Sequence, residues 1–83
     1  LVNRVVAHER LLEETMVLAD KIASKPPLAV TLTKRAVIQG QTSNLRAHLD
    51  YISSQIALLS ETEDHREAAR AFLEKRKPVF TGK

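Results

Sequence analysis

Cysteine is absent from the 83 residues, which excludes disulfide staples and thiolate metal ligands. Histidine is scarce: His8, His48 and His65 share no metal-ligand spacing, so no metal site is expected. No apolar run approaches the roughly 20 residues that cross a bilayer, and the opening LVNRVVAHER lacks the apolar core of a signal peptide. A membrane partner is not expected, and a reducing, cytoplasmic compartment fits best. The only glycines are Gly40 and Gly82, so there is no phosphate-cradling glycine loop, and neither Ser-x-x-Lys nor a nucleophile elbow occurs. Nor does one charge sign dominate: 13 basic and 10 acidic side chains give +3, too balanced for a polyanion-binding surface over the whole chain.

What is present is one small domain or a piece of one, of a size that buries only about 60–65% of the surface of its unfolded chain. The first residue is Leu1, not Met, and the expectation is of a part cut from something longer. LVNRVV (1–6) is β-branched and short, an extended lead-in. From about residue 8 to 25, Leu11/Leu12, Thr15/Met16, Leu18/Ala19 and Ile22/Ala23 recur at helical spacing. Glu9, Glu13 and Glu14 near the start and Lys21 and Lys25 near the end suit the helix dipole.

KPP (25–27) breaks that helix, and Pro27 is placed to open the next one, where its missing N–H costs nothing. Leu28, Ala29, Leu32, Thr33, Ala36 and Val37 mark the second helix over 28–39, with Gly40 as its expected C-terminal cap. Lys34 and Arg35 lie off that stripe, as a solvated basic face or as an ionic contact to a partner. Ser43 is the expected cap of a third helix, whose Leu45, Leu49, Ile52, Ile56 and Leu59 follow a 4-3-4-3 rhythm. Ala57 and Leu58 widen the stripe, so this helix asks for a packing partner. Thr62 caps a fourth helix with Glu63 and Asp64 in its first turn, Ala68, Ala69, Phe72 and Leu73 on its apolar side, Lys75, Arg76 and Lys77 in its last turn and Pro78 as its stop. The fold class is all-α, about four helices after a short extended segment.

Catalytic chemistry is missing from this pattern. The pairs Glu13/Glu14 and Glu63/Asp64 stand at helix starts, where they serve the dipole, and His65 reads as an exposed or packed residue. No catalytic acid or base is assigned. Positive charge gathers instead in the last nine residues, in Lys75, Arg76, Lys77 and Lys83 without an acid, which suits a localised anion such as a phosphate group.

LVNRVV, ASKPPLAVTLTKRAV and TEDHREAARAFLEKRKPVFTGK together resemble the C-terminal stretch of enoyl-CoA hydratase/isomerase (crotonase-type) proteins. The resemblance covers essentially the whole chain and is densest over 62–83. It implies that a larger domain of repeated ββα turns, the crotonase spiral core, is absent here together with the catalytic residues that add water to a 2-enoyl thioester. It further implies a trimer or hexamer in the parent protein, acyl-CoA as substrate without a separate cofactor, and C-terminal helices that build the oligomer interface and a lid over the acyl-CoA.

The positions matching the family's CoA contacts are Phe72 and Lys75, with Ile56 on the preceding helix at a place where a family enzyme has phenylalanine. As i and i+3, Phe72 and Lys75 would share a helix face, an apolar plate beside a cation, facing the adenine and a phosphate of coenzyme A. An alternative reading is a stand-alone helical oligomerisation or binding module with a basic tail. Nucleic acid is not an expected partner, because Phe80 is the sole candidate aromatic beside the basic cluster and no glycine-bearing helix-turn-helix is present.

Overall fold

A computed structural model describes residues 1–83. An extended lead-in reaches a single 3₁₀ turn, His8–Arg10, followed by α1 (Leu11–Ala23), α2 (Pro27–Gly40), α3 (Leu45–Ser60) and α4 (Glu63–Leu73), with an extended tail after α4. No strand is present, as the periodicity predicts. The first helix is shorter than 8–25, because Ala7 is extended and no side chain caps the turn that follows it. Glu14 does more there than serve the dipole: its carboxylate receives Arg4 Nη1 and Arg10 Nη2, each at 2.8 Å, tying the lead-in to α1.

Proline opens α2 at Pro27 as expected, with Pro26 at the N-cap position. The other end differs. Gly40 lies inside the last turn of α2 with no positive φ, and Gln41 takes the cap position. The glycine is needed for space, since a Cβ there would stand 2.8 Å from His48 Nε2. Asn44, not Ser43, caps α3, accepting the Ala47 N–H at 3.0 Å. Ser43 is already committed to closing α2, its N–H donating to the Gln39 carbonyl at 3.1 Å. Thr62 performs as its sequence context requires. Its hydroxyl accepts the His65 N–H at 3.1 Å and donates to the Leu59 carbonyl at 2.7 Å, joining α3 to α4 at one corner.

Packing is thin. α2 packs on α3 and α3 touches α4, whereas α1 makes its main contacts with the turn before it. Leu32 and Ala71 are the only buried apolar residues. The side of α3 turned inward carries His48, Tyr51, Ile52, Gln55 and Leu59, so Leu45, Leu49 and Ile56 of the 4-3-4-3 rhythm form an open ridge. In α4 the inward positions are Asp64, Glu67, Ala68 and Ala71, leaving Phe72 and Leu73 in solvent.

The molecule measures 43 × 40 × 18 Å with a radius of gyration of 16.1 Å, against about 12 Å for a globular chain of this length. It exposes 7251 Å², where a monomer of its mass would expose about 5,000 Å². The excess is about 2,300 Å², and α1 and α3 carry ten of the eighteen exposed large apolar side chains. No helix is long and apolar enough to cross a membrane.

Candidate functional site

The last turn of α4 and the tail behind it bring together most of the polar organisation of the chain. Helix α4 stops at Leu73, four residues earlier than the sequence pattern predicts, in a reversed cap: the Arg76 N–H donates to the Ala71 carbonyl at 3.0 Å and the Lys75 N–H to the Phe72 carbonyl at 3.2 Å. This hydrogen-bond pattern needs a left-handed residue between, normally glycine. Here it is Lys75, with φ 54°, the one non-glycine residue at positive φ.

The tail beyond the stop is held by two carboxylates of α4. Glu67 grips the Arg76 guanidinium through both oxygens, at 2.6 and 2.9 Å, and accepts the Val79 N–H at 3.0 Å. One turn earlier, Asp64 is 3% exposed and accepts the N–H groups of Thr81 and Gly82 at 2.7 and 2.9 Å. Its own N–H donates to the Lys83 carbonyl at 2.9 Å, so the tail satisfies a donor that the start of a helix leaves open. Two carboxylates thus clamp residues 76–83 along α4. The Arg76 hydrogen bond and then that of Val79 hold the Glu67 carboxyl down at about 2 from 4.5, and Glu67 in turn raises Arg76 further above its ordinary value.

These bonds revise the tail's electrostatics. Arg76 is neutralised by Glu67 and Glu74, which leaves Lys75, Lys77 and Lys83 as the cations without an ion pair. They also correct the geometry expected for Phe72 and Lys75. Lys75 lies past the helix, so the two do not share an i, i+3 helical face; they are joined instead by the backbone bond of the cap. Phe72 is 83% exposed in the last turn of α4 and Ile56 is 61% exposed on α3, neither covered by any other part of the chain.

A surface groove of 530 Å³ lies elsewhere, between the lead-in and α1, and none of the three residues lines it. At the α4 end the Phe72 ring is exposed and the Lys75 ammonium has no ion pair. No three His, Asp or Glu side chains converge as metal ligands. No serine, threonine or lysine is hydrogen-bonded to a histidine or carboxylate as an activated nucleophile would be, apart from the Thr81 hydroxyl that lies 3.5 Å from Asp64 in the tail clamp.

The profile of the family described as Enoyl-CoA hydratase/isomerase matches residues 1–83, the full chain. The chain belongs to the enoyl-CoA hydratase/isomerase family. It is 40% identical over 83 residues to the crotonyl-CoA hydratase of Syntrophomonas wolfei, covering all of this chain and 32% of that protein. The 2,3-dehydroadipyl-CoA hydratase of Escherichia coli gives the same identity and coverage. Among solved structures, an enoyl-CoA hydratase subunit I from Geobacillus kaustophilus superposes with a TM-score of 0.89 at 48% identity, over 99% of this chain and 32% of that one. The chain therefore spans about a third of the length of the curated relatives it matches. This family membership agrees with the resemblance carried by the TEDHREAARAFLEKRKPVFTGK ending.

The residues that sequence reasoning missed are Asp64 and Glu67, which organise the site without any feature to distinguish them from ordinary helix-start and surface acids. The one hint is their spacing ahead of an Arg-containing, glycine-bearing tail.

Proposed function

We propose that the chain is the C-terminal oligomerisation and acyl-CoA lid segment of an enoyl-CoA hydratase, a cytoplasmic enzyme that adds water to a 2-enoyl-CoA thioester. The catalytic residues belong to the N-terminal domain of that parent protein, and the 83-residue chain by itself is inactive. The observation that carries this reading is that all 83 residues match the family while covering 32% of hydratases such as that of Syntrophomonas wolfei. The open apolar surface supports it, since an excess of about 2,300 Å² is far more than the roughly 800 Å² one partner contributes to a standard interface. A parent trimer or hexamer and the catalytic domain are its proposed occupants.

Within that frame, Phe72, Lys75 and Ile56 contact the coenzyme A portion of the substrate, and no other cofactor is required. The ammonium pairs with a phosphate and the ring offers its face to the adenine. The test is steady-state kinetics of the intact enzyme with a 2-enoyl-CoA. Lys75→Ala and Phe72→Ala should each raise KM with little change in kcat, because binding common to ground and transition states is lost. An unchanged KM in either variant removes that residue from the site.

The open faces of α1 and α3 also favour a second reading, a stand-alone helical oligomerisation module with a basic tail. Self-association of the isolated chain without any affinity for coenzyme A would establish it in place of the first.

A further inference from the structure

Glu67 is engaged entirely by residues beyond the end of its own helix. Its two oxygens hold Arg76 at 2.6 and 2.9 Å and one of them also receives the Val79 N–H at 3.0 Å. Arg76 is fixed a second time by its backbone, whose N–H reaches Ala71 at 3.0 Å, and a third time by Glu74, which accepts from Nε at 2.5 Å. Lys75 sits between Glu74 and Arg76 with φ 54°. A lysine in a free chain favours negative φ. The bonds on Arg76 therefore help to hold the adjoining peptide, and with it the Lys75 backbone, in this left-handed conformation.

We propose that Glu67 is a positioning residue for Lys75: by locking Arg76, it aims the Lys75 ammonium at a phosphate of the acyl-CoA while touching no ligand itself. The proposal rests on the acyl-CoA reading of Lys75 given above. The same pair has a second effect on recognition. Arg76, neutralised by two carboxylates, is withdrawn from competition for the anion, so the phosphate meets a point-charge ammonium rather than a guanidinium fork.

The experiment uses the full-length enzyme and two substrates, a 2-enoyl-CoA and the matching 2-enoyl-pantetheine thioester, which carries no nucleotide phosphates. Glu67→Gln preserves side-chain size but removes the charge and one acceptor. It should raise KM for the CoA thioester about fivefold, the scale of a solvent-accessible ion pair, leaving kcat and the pantetheine KM unchanged. Arg76→Lys, which keeps the charge and loses the fork, should do the same and serves where Glu67→Gln fails to fold. In a Lys75→Ala background, Glu67→Gln should add nothing. A rise in KM for both substrates alike, or an effect additive with Lys75→Ala, would show a purely structural role and overturn the proposal. If Lys75→Ala by itself leaves the two KM values in their original ratio, the acyl-CoA reading of Lys75 fails first and takes this proposal with it, a result recognisable because Glu67 is intact in that variant.

Discussion

Asp64 and Thr81, seventeen residues apart in sequence, are joined by a 2.7 Å hydrogen bond from the Thr81 N–H to a carboxylate that is 3% exposed. The neighbouring Gly82 N–H donates to the other oxygen at 2.9 Å. Both oxygens must therefore accept. An amide has one accepting atom, so Asp64→Asn would set its NH₂ group against one of the two backbone N–H groups. The expected cost is about 1.5–3 kcal/mol, the scale of hydrogen bonds to a charged group left unmade. Thermal unfolding gives the total, and faster amide exchange at Thr81 and Gly82 would locate it in the tail. Unchanged exchange at both would mean that the tail is held by other contacts.

The second carboxylate clamp should fail in acid. Arg76 and the Val79 N–H stabilise the ionised form of Glu67, holding its carboxyl at about 2 in place of 4.5. The unfolded chain thus takes up this proton more readily than the folded one. The stabilisation is complete above about 4.5 and is lost as pH falls through about 2. Titration of the Glu67 side-chain carboxyl by NMR, with amide exchange at Val79 followed over the same range, checks this; a midpoint near 4.5 would show that the clamp is not formed in solution.

Gly40 and His48 make a coupled pair. The Gly40 position would place a Cβ 2.8 Å from His48 Nε2, so the ring, which stands 6.4 Å from Tyr51 centroid to centroid, would have to shift. Gly40→Ala gains helix propensity of about 1 kcal/mol but meets an overpacking cost of about 1–3 kcal/mol. The net effect should be destabilising or neutral. Once His48→Ala opens the space, the same substitution should stabilise by about 1 kcal/mol. Equal effects in the two backgrounds, measured by chemical denaturation, would rule out the clash.

Local chemistry made several features legible in advance. Pro27 can open a helix and Thr62 can cap one because each acts on donors within a few residues. The cap at Asn44 was one residue from the expected Ser43, since the competing use of the Ser43 N–H by Gln39 is set by how α2 ends. The end of α4 was not legible. A run of Lys75, Arg76 and Lys77 before Pro78 suits a continuing helix, whereas the chain leaves it at Leu73 in a reversed cap, with Glu67 bonded to Arg76 and Val79 beyond it. For the same reason Phe72 and Lys75 could be singled out through the family pattern, whereas their true relation, across a reversed cap, depends on contacts that no local spacing encodes. Likewise the ridge Leu45, Leu49 and Ile56 reads as a packing face, and which partner covers it is a property of surfaces outside these residues.

Lys75 offers a way to separate stability from binding. Its φ of 54° is a conformation that a side chain bearing a Cβ enters at a cost of about 1–2 kcal/mol, and that glycine enters freely. Lys75→Gly should therefore stabilise the intact enzyme by about 1 kcal/mol after allowance for the greater freedom of glycine in the unfolded chain. The cap bonds from Lys75 and Arg76 use backbone atoms only and survive the change. Yet the ammonium is gone, so under the proposed acyl-CoA role of Lys75 the KM should rise as expected for Lys75→Ala. A melting temperature that increases together with KM is the expected signature of strain retained for the sake of a ligand contact. A stabilised variant whose KM is unaltered would leave the strained lysine without that purpose, and a destabilised one would mean that the Lys75 side chain makes a packing contact in the assembled protein.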